Sequence, residues 1–468
     1  MPLRRLLAMS VAASFALGVS APVAAADDAW LVSGGVVLVM DVAGTVVRDG
    51  AVAVRGSRIE AVGSAAEMAA RYPGARRLDA TGRIVMPGLI DAHTHVPMTL
   101  FRGTADDLDL KGFLYGRIFP LEARFVDEEF VRWGTRLACL ELLRGGVTTF
   151  ADMYYFEDAV ADEAARAGIR AVAGETLVDF PAPDNKSWAD AVAYTERFVT
   201  KWRGHRLIVP AVAPHATYTV SPEHLRQAHA LAARFGVPML MHLAEARSEV
   251  DLIQQKYGRR PVEFAAGLGI LDHRVLAAHV IFPTAAEIAL LARSGAGVAH
   301  CPQSNMKGAA GVAPVPALLA AGVAVGLGTD GAASNNDLSM WEEMDTAAKL
   351  HKVTSGDPTV LPARTALAMA TRLGAEAVGL GGEVGSLEAG KRADLILVRT
   401  DGLHQIPSYD PYSLLVYATK ASDVDAVIVD GQLVMAAGRV LTIDEAAVRE
   451  RAAAYGARIA AALNEPRR

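Results

Sequence analysis

Two histidines one residue apart, His93 and His95 in PGLIDAHTH, close an apolar run. Side chains alternate across a strand, so both rings point to the same side and can hold one ion together. An H-x-H pair is a weak signal alone, because the chain has 12 histidines. Its company strengthens it: His242 and Glu245 in HLAE, His279 in AAHV and Asp330 in GLGTDG each end a further apolar run. His242 and Asp330 can complete the protein ligands around an ion held by His93 and His95. Imidazole and carboxylate suit Zn²⁺, and also Fe²⁺ or Mn²⁺. A catalytic zinc keeps a coordination position open for water. His242 and Glu245 are three residues apart and would face oppositely on a regular strand, so the chain must bend if both serve one site.

The elements that position these residues are eight apolar runs: GLIDAHTH, GVTTFADM, IRAVAGETLV, LIVPAVAPH, VPMLMHLAE, VLAAHVIF, AGVAHCPQS and VAVGLGTDG. Each is bounded by Gly or Pro and followed by a helix-like stretch. Near-continuous apolar runs are what strands buried on both faces look like. Eight βα units in roughly 300 residues indicate a TIM barrel, over 89–384. The polar residues fall at the C-terminal ends of the runs, the rim where such barrels carry active sites. His215 follows strand 4 and His300 lies near the end of strand 7.

Residues 27–88 and 385–443 have a different texture, with short β-rich runs between Gly, Asp-Gly and Ser. They read as small antiparallel strands with tight turns, and the simplest arrangement joins both chain ends in one small β-sandwich domain. Residues 444–468 read as an alanine-rich helix. At the N-terminus, Arg4 and Arg5 precede an apolar stretch and then Ala24-Ala25-Ala26, the pattern of a secretory signal peptide over 1–26. The expectation is an exported protein, periplasmic where the cell has two membranes. With 52% hydrophobic and 21% charged residues, a sizeable core is expected. Net charge is −6, and −8 without the first 26 residues, which contain two arginines and no acid. That balance argues against nucleic acid and anionic membrane surfaces and fits a small-molecule substrate. Cys139 and Cys301 are expected as free, buried thiols.

Taken together, PGLIDAHTH, HLAE, AAHV, GLGTDGAASNN and the flanking EAGKRADLILV resemble the amidohydrolase superfamily over nearly the whole mature chain. Two-metal members usually bridge their ions with a carboxylated lysine at the end of strand 4. Here that strand reads LIVPAVAPHAT, with His215 and no Lys, which points to the single-metal branch that resembles the cytosine, adenosine and guanine deaminases and the triazine hydrolases. The resemblance implies one divalent ion, Zn with Fe or Mn as alternatives, on His93, His95, His242 and Asp330. It also implies that Asp330 takes the water proton, that His279 orients the hydroxide, and that Glu245 protonates the ring nitrogen beside the attacked carbon. A homodimer or larger homo-oligomer is expected by analogy only.

The segment HTHVPMTLFRGTADDLDLKGFLYGRIFPLEARF looks like the methylthioadenosine/S-adenosylhomocysteine deaminases. The resemblance assigns Glu122, in Pro120-Leu121-Glu122, to ribose hydroxyls and His215 to substrate contact. A carboxylate accepting two adjacent hydroxyl protons is sound chemistry for a ribose. Departures exist. After strand 3, GETLVDFPAPDNKSWAD offers Lys186 as its only base, which favours methylthioadenosine or adenosine over S-adenosylhomocysteine. Phe113 stands where the family often has Trp. His300 reads as structural or functional, and Asn305 receives no role. The competing readings are an exported triazine hydrolase, cyclic amidase or dipeptidase, and a barrel that binds without turnover.

Overall fold

Eight strands buried on both faces run parallel in the computed structural model, which describes residues 29–465. The expected leader, 1–26, lies outside the described residues. The strands are β1 (Leu89–Thr94), β2 (Val147–Tyr154), β3 (Arg170–Leu177), β4 (Ile208–Pro214), β5 (Met239–Leu243), β6 (Val275–His279), β7 (Gly297–His300) and β8 (Val325–Leu327). Each pairs with the next in chain order. They are the eight apolar runs of the sequence, and the fold is a TIM barrel.

The ring closes where the site lies. Just beyond β8, Asp330 bridges to Thr94 of β1, and its N–H donates to the His93 carbonyl at 2.8 Å. Gly328 makes room for this contact: a Cβ there would lie 2.7 Å from the His93 nitrogen. Asp91 stitches the same seam. Its carboxylate accepts the Thr329 N–H at 3.0 Å and the Thr329 hydroxyl at 2.6 Å. Burial pushes this carboxyl up to about 7, against the pull of its Thr329 hydrogen bonds.

Inside the barrel, Ile90, Ala151, Val172, Leu240 and Leu276 pack together; residues on the other strand faces join the helices in one large core. Both chain ends build one mixed nine-stranded sheet. Its seam pairs Arg83–Pro87 antiparallel with Leu395–Arg399. The expectation of purely antiparallel strands needs correction: Ala29–Leu38 pairs parallel with Arg76–Asp79 and with Arg83–Pro87. The helix Ala65–Arg71 lies between its parallel partners and the preceding hairpin, giving the crossover that parallel pairing requires. The sheet buries one face on itself, where Val32, Val52 and Ile59 meet Leu395 and Ile428. Ile396, Val398 and Val427 turn the other way and join the barrel core. A buried two-point ion pair, Arg170 to Asp394 at 2.9 and 3.1 Å, ties β3 to the small domain. Cys139 and Cys301 are buried and unpaired. Among the described residues no helix is long and apolar enough to cross a membrane.

Candidate metal centre and active site

His93 and His95 leave the end of β1 with ring centroids 4.8 Å apart, and His242 at the end of β5 lies 4.9 Å from His93. His279 stacks on His242 at 5.4 Å, and His215 lies 4.6 Å from it on another side. His93, His242 and His279 are almost completely buried.

Hydrogen bonds fix which ring nitrogens face inward. His95 Nδ1 lies 2.7 Å from the Met153 carbonyl and His242 Nδ1 lies 3.0 Å from the His215 carbonyl. A carbonyl only accepts, so both Nδ1 atoms carry hydrogen and both Nε2 atoms present lone pairs. Those two Nε2 atoms lie 3.4 Å apart. Asp330 Oδ1 is 3.2 Å from His95 Nε2 and 3.6 Å from His93 Nε2. Nε2 of His93 is buried without a hydrogen-bond partner. Converging lone pairs and a carboxylate call for a cation between them. Burial pulls His95 down, yet the hydrogen bond and charge of Asp330 lift it to about 9, so without an ion its Nε2 holds a proton that a metal would displace to use that lone pair. Tetrahedral zinc with bonds of about 2.0–2.1 Å sets its donors about 3.3 Å apart, close to the spacings seen. The donor set His93, His95, His242 and Asp330 therefore fits a divalent metal ion. Chelation is expected to lower the thermal unfolding midpoint, because an ion at a hundred times its Kd contributes about 2.7 kcal/mol; readdition of metal restores it. An unchanged midpoint in differential scanning fluorimetry would show that these donors hold no ion.

The bend required after His242 is present. Ala244 takes φ +52°, a left-handed conformation costly for a residue with a Cβ, and swings Glu245 back towards the centre. Glu245 Oε1 then lies 3.8 Å from His279 Nε2. His279 (φ +72°) and Asp330 (φ +59°) are left-handed as well, so three residues at this site are held in costly backbone conformations. The Glu245 N–H donates to Glu249 Oε2 at 2.8 Å. Burial pushes the Glu245 carboxyl up, opposed by His279 and reinforced by Asp330, which suits a group that delivers a proton.

Glu122 reaches the same cavity from another element. It belongs to a helical stretch, Leu110–Phe125, interrupted by the π turn Leu114–Ile118. Residues four apart drift around an α-helix, and a wider turn reverses that drift, so Leu110, Leu114, Ile118 and Glu122 all line one cavity. Glu122 is buried and accepts the Tyr154 hydroxyl at 2.8 Å. Burial lifts its carboxyl to about 7, with Tyr154 and His95 opposing. The cavity holds about 60 Å³ and is also lined by His95, His215, His242, Glu245, His279, Asp330 and Phe113. His93 sits behind His95, off that surface.

His215 hydrogen-bonds Thr219 Oγ1 through Nδ1 at 2.9 Å, and burial with the nearby His95 and His279 holds it down to about 3, so it is neutral. Its carbonyl also takes both the backbone and the ring N–H of His242, a role that sequence reasoning missed. His300 does not line the cavity; it is fully buried with Nε2 3.3 Å from Nε2 of His351. Asn305 gains a role: its Oδ1 accepts from His279 Nδ1 at 2.9 Å and leaves the His279 Nε2 lone pair facing the site. Ser304 and Ser334 both donate to Asp330 Oδ2, at 2.6 and 2.9 Å. Asp152 pins the chain just after His95 by accepting the Val96 N–H at 2.6 Å. Its place at the C-terminal end of a barrel strand was the one signal that could have marked it.

The Amidohydrolase family model matches residues 84–434. The chain belongs to the amidohydrolase family. Among its relatives is a 5-methylthioadenosine/S-adenosylhomocysteine deaminase of Syntrophobacter fumaroxidans, 48% identical over 90% of this chain and 96% of that one. A second of the same name, from Thermodesulfovibrio yellowstonii, is 43% identical over 90% and 97%. Among solved structures, an adenosine deaminase from Xanthomonas campestris with bound zinc superposes with a TM-score of 0.91 at 39% identity, covering 92% of this chain and 98% of that one. This amidohydrolase carries a candidate divalent-metal site at its barrel rim; another solved structure, the atrazine chlorohydrolase of Arthrobacter aurescens complexed with zinc, superposes with a TM-score of 0.85 at 25% identity, covering 91% of this chain and all of that one.

Proposed function

We propose that this amidohydrolase deaminates the adenine ring of an adenosine-type nucleoside, with zinc as its metal and with adenosine or 5′-methylthioadenosine as substrate. The observation that carries the reading is one cavity lined by Glu245, Asp330 and Glu122 together, a proton donor and acceptor in one chamber with an acceptor for a diol. Relatives named as methylthioadenosine/S-adenosylhomocysteine deaminases support it. It acts on carbon–nitrogen bonds in cyclic amidines and its substrate is a small molecule.

His93, His95, His242 and Asp330 would hold a divalent ion, which would supply a water acidic enough to react at neutral pH. Asp330 is placed to accept a proton from the attacking water. His279 accepts a hydrogen bond from it through Nε2 and so aims an oxygen lone pair at the amino-bearing carbon. Glu245 gives its proton to the adjacent ring nitrogen, which makes that carbon electrophilic. When the C–O bond has formed, a proton reaches the amino group, the C–N bond breaks and ammonia leaves. Each positioned proton transfer contributes about 10²–10⁴-fold.

The test is ammonia release by protein loaded with Zn²⁺, Mn²⁺ or Fe²⁺, over adenosine, methylthioadenosine, S-adenosylhomocysteine, guanine, cytosine and melamine. Turnover of free bases or melamine alone overturns the nucleoside assignment. Glu122→Ala is expected to raise KM for nucleosides while leaving free bases unaffected; equal losses for both would remove the ribose role. Ribose binding uses the charged carboxylate, so it weakens as pH falls through about 7, the value to which Glu122 is lifted. The advantage of adenosine over 2′,3′-dideoxyadenosine in 1/KM shrinks below that pH and is flat with pH in Glu122→Gln. The basic, apolar and small-residue pattern of 1–26 supports export with cleavage before Asp27, which N-terminal sequencing of protein from the native host tests.

A further inference from the structure

A second cavity of about 60 Å³ adjoins the catalytic one, and the two share Leu110, Phe113, Glu245, Asp330 and Ser334. Roughly 10–15 Å³ of such space holds one water, so the second cavity has room for several non-hydrogen atoms. The carboxylate of Asp330 divides its two oxygens. Oδ1 faces His93 and His95, whereas Oδ2 accepts from Ser334, on the shared wall, and from Ser304, which lines the second cavity and not the first. His95, His242, His279 and Glu122 line the first and not the second. Small residues, Ala105, Gly308 and Ala310, form part of the second cavity's wall, and Asp107, which also lines it, is exposed. Asn305 lines it too, and its Nδ2 is buried without a hydrogen-bond partner, a donor left over for a lone pair.

We propose that the second cavity receives the leaving amine, and that the enzyme therefore also hydrolyses N⁶-alkylated adenosines, releasing a small primary alkylamine in place of ammonia. This rests on the nucleoside reading above. In a purine nucleoside the amino group is on the six-membered ring and the sugar on the five-membered ring, so the exocyclic nitrogen projects away from the ribose. Glu245 serves the ring nitrogen beside the amino-bearing carbon and Asp330 serves the water that attacks it. The departing nitrogen is therefore next to both, and both line the second cavity, while a ribose on Glu122 keeps to the first. A methyl or ethyl group on that nitrogen then meets free space and small side chains, not the imidazoles of the metal site. The atoms balance as they do for adenosine. Water adds to the ring carbon, the carbon–nitrogen bond breaks, and the alkylamine takes up the proton that ammonia would take. The ring product is the same inosine-type nucleoside.

The experiment takes the better substrate of adenosine and 5′-methylthioadenosine and compares kcat/KM of the zinc-loaded enzyme for it and for its N⁶-methyl and N⁶-ethyl derivatives. Ring product is followed by absorbance and the released amine is identified by chromatography. A pocket without room for one more carbon discriminates by about 10–200-fold, so both derivatives are expected within about tenfold of the parent nucleoside, with methylamine or ethylamine released one for one. Ala310→Leu fills part of the second cavity and keeps the backbone bond from its N–H to the Asn305 carbonyl. It is expected to lower the ratio of the N⁶-ethyl derivative to the parent by about tenfold or more. Phe180→Leu, outside both cavities, should leave that ratio unchanged. Derivatives slower than the parent by more than about tenfold, or a ratio that Ala310→Leu does not move, overturn this assignment and leave the deaminase reading standing. Turnover of neither parent nucleoside overturns the nucleoside reading and this one with it.

Discussion

Glu245→Gln is expected to lower kcat by about 10²–10⁴-fold while metal content stays at one ion per chain. The amide has the size of the carboxyl and keeps hydrogen-bonding ability, but it has no acidic proton to give the ring nitrogen. The local fold has no reason to change, because Glu249 holds the Glu245 backbone N–H and not its side chain, and also accepts the Thr217 hydroxyl at 2.7 Å. Elemental analysis beside steady-state kinetics separates the causes. Activity within tenfold of the parent would remove Glu245 as the proton donor. A parallel loss of metal would mean that it supports the ligands instead.

Asp330→Asn combines two losses, so its effect is expected to be at least as large in kcat and to reach metal affinity as well. Oδ1 faces Nε2 of His93 and His95 and also accepts the Gly331 N–H, while Oδ2 takes two serine hydroxyls. An asparagine must turn an NH₂ group towards one of those sets. Facing the serines, it meets two donors; facing the histidines, it offers no lone pair to an ion. Either way the anion is gone, and the surrounding imidazoles and hydroxyls no longer meet a negative charge. Chelator competition should show metal affinity reduced by tenfold or more, the scale seen when even outer partners of a ligand are lost. Retained stoichiometric metal with lost turnover would restrict Asp330 to proton transfer.

How much of this could be read from the sequence follows from what folding does to each residue. The eight barrel strands were legible because burial on both faces leaves an unbroken apolar run, and most of the polar residues that end these runs gather on one rim, His300 being the exception that packs in the core. His93, His95, His242, Glu245, His279 and Asp330 were visible on that ground. The contacts that hold them were not. Ala244 gives no sign that it turns left-handed, since an alanine mid-run is ordinary in helix and strand alike. Asp91 sits among apolar neighbours, and its partner Thr329 is 238 residues away. Asn305, Ser304 and Ser334 act on side chains that no local period connects to them. The π turn that brings Glu122 onto the cavity leaves no mark on helical spacing that a reader could separate from an ordinary amphipathic face.

The closure between β1 and Asp330 also sets the order in which this enzyme can be made. Thr94 and Asp330 meet across 236 residues, so a growing chain contains its first two imidazoles long before it contains the aspartate or the strand that seals the ring. Until then the seam beside those imidazoles stays open, because the His93 carbonyl and the Thr94 hydroxyl have no Asp330 backbone to meet, although the Met153 carbonyl that orients His95 comes earlier, from β2. Contacts of such long range form late in folding. Tight metal capture is therefore a clock for barrel closure, and a truncation ending before β8 should fail to retain metal even though three of the four ligands are present.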